Sequence, residues 1–174
     1  MSDSYWVRAW GPPGRPTLRP NCTAILPELW VGEYPRVDDV PWLGADLGVQ
    51  AVLSLQDDGD LAAKDLSWPA LLRAYRDAGI VAHRLPVADG QPEHLLEILD
   101  VAVAWLAGQT AAGRSVYVHC NAGINRAPTV AIAYLHAVRG MGLDEACRHV
   151  TSLRPCVPFL SVLRRRYLGS AGNT

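Results

Sequence analysis

A chain of 174 residues, 49% hydrophobic and 19% charged, has the length and composition of one globular domain with its own core. Its net charge of −1 argues against a broad basic surface for nucleic acid, and its mixed composition argues against a disordered chain. No apolar run reaches the length of a membrane span, and the N-terminus lacks the apolar stretch of a signal peptide. Four scattered cysteines, Cys22, Cys120, Cys147 and Cys156, form no CxxC pair. The pattern suits a reduced, cytoplasmic chain without disulfides, metal or cofactor. A monomer with no nucleic-acid or membrane partner is expected.

Residues 1–20 are a Pro/Gly-rich lead whose Trp6 and Trp10 suggest that it lies on the domain. "CTAILPELWVGEY" (22–34) reads as two short strands broken at Pro27, with Gly32 as a stop. A short helix follows within 38–47, and "QAVLSL" (50–55) reads as a buried strand. "DLSWPALLRAYRDAG" (65–79) carries a helix start at Asp65 or Ser67, helical apolar spacing and a stop at Gly79. "IVAHRL" (80–85) is the next strand. "VADGQPEH" is a loop with Pro92 in the first turn of a long amphipathic helix over 93–112. "RSVYVHC" (114–120) is a strand, and helices follow at 127–139, 143–153 and 158–168, separated by "RGMG" and "RPCVP". The basic run at 164–166 reads as the solvated end of the last helix. Strands alternating with helices predict an α/β fold, a central, mostly parallel, twisted sheet of about five strands flanked by helices. One domain is expected over 21–169, with a tail at 170–174.

The stretch "VYVHCNAGINRAPTVAIAYL" (116–135) carries the chemistry. Val116, Tyr117 and Val118 favour a strand, and Pro128 fits only near the start of a helix. Residues 120–126 therefore link a strand to the N-terminus of a helix that is apolar nearly all round and expected to be buried. A helix N-terminus offers unpaired N–H groups and partial positive charge, which suits an anion. Gly123 allows a tight turn, and Asn125 tolerates left-handed backbone. Successive N–H groups can converge on a tetrahedral dianion, and Arg126 adds a planar fork for two of its oxygens. The same dipoles favour a thiolate at Cys120. The competing reading is a buried structural cysteine, which is common at the end of a strand. His119, Gly123, Arg126 and the strand–loop–helix context together favour the nucleophile.

"HCNAGINR" resembles the HC-x5-R signature loop of cysteine-based phosphatases, and "AGINRAPTVAIAYL" is similar to the dual-specificity branch. The resemblance runs from about residue 22 to 168. It implies that His119 orders the loop, that Asn121, Ala122, Gly123, Ile124 and Asn125 hold the substrate phosphate, and that a general acid sits in a loop upstream. Asp89, in "RLPVADGQP", falls where that branch carries its acid. General acid catalysis contributes about 10²–10⁴-fold where a poor leaving group must be protonated. Asp89 also fits a plain Asp-Gly turn or a helix cap. Asp57, Asp58 and Asp60 compete for the acid role, but read as a solvated loop edge that could help to shape the pocket.

The implied reaction has two steps. Cys120 attacks phosphorus while Asp89 protonates the leaving oxygen, and Arg126 and the loop N–H groups bind the equatorial oxygens. Water then attacks the cysteinyl-phosphate with Asp89 as base. Two departures stand out. Ala127 replaces the usual hydroxyl residue after the arginine, which bears on the second step, and Asn125 replaces a smaller residue. "LSLQDDGDL" (53–61) and "RPCVP" are similar to segments of plant starch-excess glucan phosphatases, which also carry "GRAP". Phosphorylated protein is the favoured substrate. A phosphoglucan or phosphoinositide is the alternative, and a non-catalytic phospho-binding module is a third reading.

Overall fold

Alternation along β5 (Val116–His119), a strand buried throughout, sorts its side chains onto two cores. Val116 and Val118 join one apolar cluster, while Tyr117 joins the other. A strand buried on both faces belongs inside a sheet covered on both sides. The computed structural model describes residues 19–169, so the expectation for Trp6 and Trp10 lies outside the described residues. The other strands are β1 (Cys22–Leu26), β2 (Leu29–Gly32), β3 (Ala51–Ser54) and β4 (Val81–Arg84). Their order is β1-β2-β5-β3-β4, with β1 and β2 antiparallel and the other neighbours parallel. The mostly parallel five-stranded sheet expected from the sequence is the one observed.

The helices are α1 (Val40–Ala45), α2 (Asp58–Ala63), α3 (Trp68–Asp77), α4 (Pro92–Ala111), α5 (Arg126–Ala137), α6 (Leu143–Leu153) and α7 (Leu160–Tyr167). Val40 and Leu43 of α1 and Leu71 and Tyr75 of α3 cover one face of the sheet. The other face is covered by α4, α5, α6 and α7 through residues such as Leu99, Val130, Val150 and Leu163. Helix α5 is central to that layer: every residue from Arg126 to Leu135 is buried. Its Pro128 sits in the first turn, where a missing N–H leaves no bond unmade.

Register decides where the site lies. Gly32 of β2 and Ser54 of β3 both pair with His119, so three neighbouring strands end level with one another. The loop leaving β5 therefore opens at the carboxyl edge of the sheet, where open α/β folds place their ligands. Helix α2 is the element that the sequence reading left as loop. It is one short turn-and-a-half, with Gly59 inside, and is held by its cap. Asp60 N donates to Asp57 Oδ1 (2.8 Å), and Asp57 N donates to Asp60 Oδ2 (3.1 Å). That reciprocal cap with an acid three residues on is the signal that could have found it.

Candidate active site

Residues 120–125 form the turn between β5 and α5, and each of their carbonyls has a partner on the outside of the loop. His119 Nδ1 bonds Cys120 O (3.0 Å), and Tyr34 N donates to Asn121 O (3.0 Å). Arg154 donates to Ala122 O from Nη2 (2.9 Å) and to Gly123 O from Nε (2.7 Å). Val157 N donates to Ile124 O (2.8 Å), and Thr129 Oγ1 to Asn125 O (2.7 Å). In a trans peptide the N–H points opposite to the carbonyl. Carbonyls tied down from behind thus turn the following N–H groups the other way. Among the described residues, the N–H groups of 121–125 donate to no protein acceptor.

Gly123 has φ +66°, in the region that favours glycine. A Cβ there would also lie 2.6 Å from Gly32 O and 2.7 Å from Arg154 Nη2. Both the turn and the close packing therefore require glycine.

A cavity of about 300 Å³ lies in front of the loop, lined by Cys120, Asn121, Ala122, Ile124, Asn125 and Arg126, with Asp89, Ala63 and Lys64 at its sides. Cys120 is 3% exposed and Arg126 1%, so the thiol and the guanidinium sit at its floor. Four of the five residues expected to hold the phosphate, Asn121, Ala122, Ile124 and Asn125, line this cavity. Gly123 does not, since it packs against Arg154 and Gly32, and His119, expected to order the loop, bonds the carbonyl of Cys120.

Arg126 is held on one edge and open on the other. Its Nη1 donates to Asp60 Oδ2 (2.6 Å) and to Val87 O (2.7 Å), and its Nη2 lies 3.4 Å from Asp89 Oδ1. Its Nε is buried and has no partner. A buried donor left without a partner is costly, and Nε with Nη2 is the edge that can take two phosphate oxygens. Burial works against the charge on Arg126, but nearby Cys120, Asp60 and Asp89 outweigh it and raise its pKa above the usual value.

Asp60 departs from the solvated-edge reading and follows the alternative, a residue that shapes the pocket. Asp58 does point to solvent and pairs with Arg84 (2.6 Å), as a loop edge would. Asp60 instead is 7% exposed and turned inward onto Arg126. Its Oδ1 also accepts from Asn121 Nδ2 (2.6 Å), and Gln56 Nε2 donates to Asn121 Oδ1 (2.7 Å). Gln56, Asn121, Asp60 and Arg126 thus form one chain of hydrogen bonds into the cavity. Ala63 and Lys64, brought to the cavity by the end of α2, were missed.

Asp89 stands at the mouth with its side chain 60% exposed. Its Oδ1 accepts from Gly90 N (3.1 Å), so it does make the Asp-Gly turn. It is not the cap, because Gln91 holds the N-cap position of α4. The turn and the approach to Arg126 coexist. Burial lowers the pKa of His119 to about 4, with the bond to Cys120 O opposing it, so the ring is neutral near pH 7. A neutral ring facing a carbonyl carries its proton on Nδ1. Asn125 lines the cavity, and its Nδ2 donates to Val157 O (2.6 Å), which fixes the loop. Thr129 is two positions beyond Ala127. Its hydroxyl bonds Asn125 O and accepts from Phe159 N (2.8 Å), so it does not replace the missing hydroxyl.

A recessed cysteine beneath inward-turned amides, with an arginine offering one open edge, defines the class of cysteine-based phosphatases. Residues 29–163 match the family described as "Dual specificity phosphatase, catalytic domain", and the chain belongs to that family. It is 30% identical over 144 residues to "Laforin" of Mus musculus, covering 76% of this chain and 44% of that protein. It is 39% identical over 145 residues to "Dual specificity protein phosphatase 8" of Homo sapiens, covering 83% of this chain and 21% of that protein. With "Phosphoglucan phosphatase DSP4, amyloplastic" of Castanea sativa it shares 31% over 147 residues, covering 83% and 39%. The chain thus spans less than half the length of each of these relatives. Among solved structures, "Tk-PTP in the active form" superposes with a TM-score of 0.68 at 25% identity, covering 89% of this chain and all (100%) of that one.

Proposed function

We propose that this chain hydrolyses phosphate monoesters through a cysteinyl-phosphate on Cys120. Arg126 and the N–H groups of the 120–126 loop bind the phosphoryl oxygens, and Asp89 acts first as acid and then as base. The observation that carries this reading is the pairing of the open Arg126 edge, with its buried unpartnered Nε, with a loop whose carbonyls are all held outward. Those donors face a cavity with Cys120 at its floor. Such preorganised donors are what a charge-spread phosphoryl transition state needs. The reaction needs no metal or cofactor on this reading.

The favoured substrate is a phosphoprotein bearing phosphotyrosine or phosphoserine/threonine. A phosphoglucan is the second reading, supported by the 31% identity to the chestnut phosphoglucan phosphatase. Residues 21–169 are the catalytic domain, with 1–20 a lead and 170–174 a tail. The near-neutral charge and the four free cysteines support a cytoplasmic monomer with no nucleic-acid or membrane partner. The test is hydrolysis of p-nitrophenyl phosphate in EDTA, followed by phosphopeptides, phosphorylated glucan and phosphoinositides side by side. Turnover in EDTA with phosphopeptides leading is expected. No turnover of any ester would overturn the enzyme reading, and a lead for glucan would move the substrate to the second reading.

A further inference from the structure

Arg154 lies outside the cavity, in the "RPCVP" stretch between α6 and α7, and is 1% exposed. Two arms of its guanidinium hold the back of the phosphate loop at Ala122 O (2.9 Å) and Gly123 O (2.7 Å). The third arm crosses to Asn21 Oδ1 (2.7 Å) and to Thr23 Oγ1 of β1 (3.2 Å). All four acceptors are neutral. Among the described residues, no carboxylate lies within ion-pair distance of Arg154. A buried cation whose hydrogen bonds all go to neutral dipoles is expensive, and a fold that keeps one gains from an anion nearby.

The peptides that Arg154 grips carry two of the loop N–H groups, those of Gly123 and Ile124, that donate to no protein acceptor among the described residues. The Ala122 carbonyl belongs to the same peptide as the Gly123 N–H, and the Gly123 carbonyl to that of the Ile124 N–H. A cation on the oxygen of a peptide polarises it and makes its N–H a stronger donor. We propose that Arg154 is a positioning residue for the phosphate loop: it turns these two peptides toward the cavity, and its buried charge strengthens their hold on a phosphate dianion. The proposal rests on the phosphate-site reading above.

Two further features fix the geometry. A Cβ on Gly123 would strike Arg154 Nη2, so the loop lies directly on the guanidinium. The same segment is fastened to the loop by Val157 N on Ile124 O (2.8 Å), Asn125 Nδ2 on Val157 O (2.6 Å) and Phe159 N on Thr129 Oγ1 (2.8 Å). The titratable groups around Arg154 are Cys22, Glu33, Tyr117 and Cys156. Glu33 Oε2 accepts from Asn21 N (2.8 Å), on the β1 side of the guanidinium.

Lysine and glutamine at 154 separate charge from shape, since each can donate to a carbonyl and only lysine is charged. Tungstate, a tetrahedral dianion, is titrated calorimetrically into the chain carrying Cys120→Ser, alone and combined with Arg154→Lys or Arg154→Gln. Arg154→Lys should keep tungstate affinity within about fivefold, and Arg154→Gln should lose about 30-fold or more. In the chain with Cys120 intact, Arg154→Lys should lower kcat/KM about tenfold, because lysine lacks the fork that holds both carbonyls. Equal weakening by both substitutions, or none by either, would overturn the role of the charge. If circular dichroism finds Arg154→Gln unfolded, Arg154→Lys decides alone. Kept affinity with reduced kcat/KM supports the proposal, whereas both falling together or neither changing contradicts it. Because the binding arm needs no turnover, an inactive wild type would sink the phosphatase reading and leave this one standing.

Discussion

Asp60→Asn removes the charge opposite Arg126 and keeps the shape of the side chain. The pair is separated by 2.6 Å, with side chains 1% and 7% exposed, so solvent screens little of it. Removing one partner of a buried ion pair costs about 3–5 kcal/mol. The lower end applies, because Val87 O still accepts from Arg126 Nη1 (2.7 Å) and Asp89 remains 3.4 Å from Nη2. For a domain of this size, about 3 kcal/mol lowers Tm by about 6–12 °C. The freed guanidinium also loses its aim, and a misplacement of about 1 Å costs about 10²-fold in kcat/KM. Thermal unfolding by circular dichroism and hydrolysis of p-nitrophenyl phosphate measure the two effects. A variant with Tm within about 2 °C and kcat/KM within about threefold of wild type, the size of an ordinary surface substitution, would refute the reasoning.

Asp89→Ala should slow turnover by about 10²–10⁴-fold for alkyl phosphates, whose leaving groups need a proton, and much less for p-nitrophenyl phosphate; an equal loss across leaving groups would remove Asp89 from the acid role. His119 has its pKa lowered from 6.5 to about 4, chiefly by burial, so the unfolded chain takes up its proton first as the pH falls. Its contribution to stability is complete above pH 6.5 and is lost progressively down to about pH 4. His119→Asn, whose amide can still donate to Cys120 O, should remove about 2 kcal/mol of the stability loss between pH 7 and pH 5 in urea unfolding. An unchanged slope would contradict the burial argument.

The fold was legible where local signals agreed. Val116 to Val118 read as a buried strand, and Pro128 marked the start of α5. Their register with β2 and β3 then set Cys120 at the edge of the sheet. The site was legible wherever the loop itself carried it, namely Cys120, Arg126 and the residues between. What sequence could not supply was the set of contacts made across long separations. Asp60 reaches Arg126 over 66 positions and Arg154 reaches Gly123 over 31. In the sequence, an acid within "QDDGDL" looks solvated, and an arginine after a helix looks like a charged end. Burial, which depends on the whole sheet being assembled, is what turned each into a partner of the loop. Lys64 and Ala63 were missed for a related reason, because α2 is too short for its apolar spacing to reveal it.

The central claim is a covalent phosphate on Cys120. It is tested by quenching the chain in acid during turnover of p-nitrophenyl phosphate and analysing the peptide that contains Cys120 by mass spectrometry. A phosphate adduct on Cys120, absent together with turnover in Cys120→Ser, is the predicted result. Sustained hydrolysis by Cys120→Ser, with no adduct on the wild-type peptide, would contradict it.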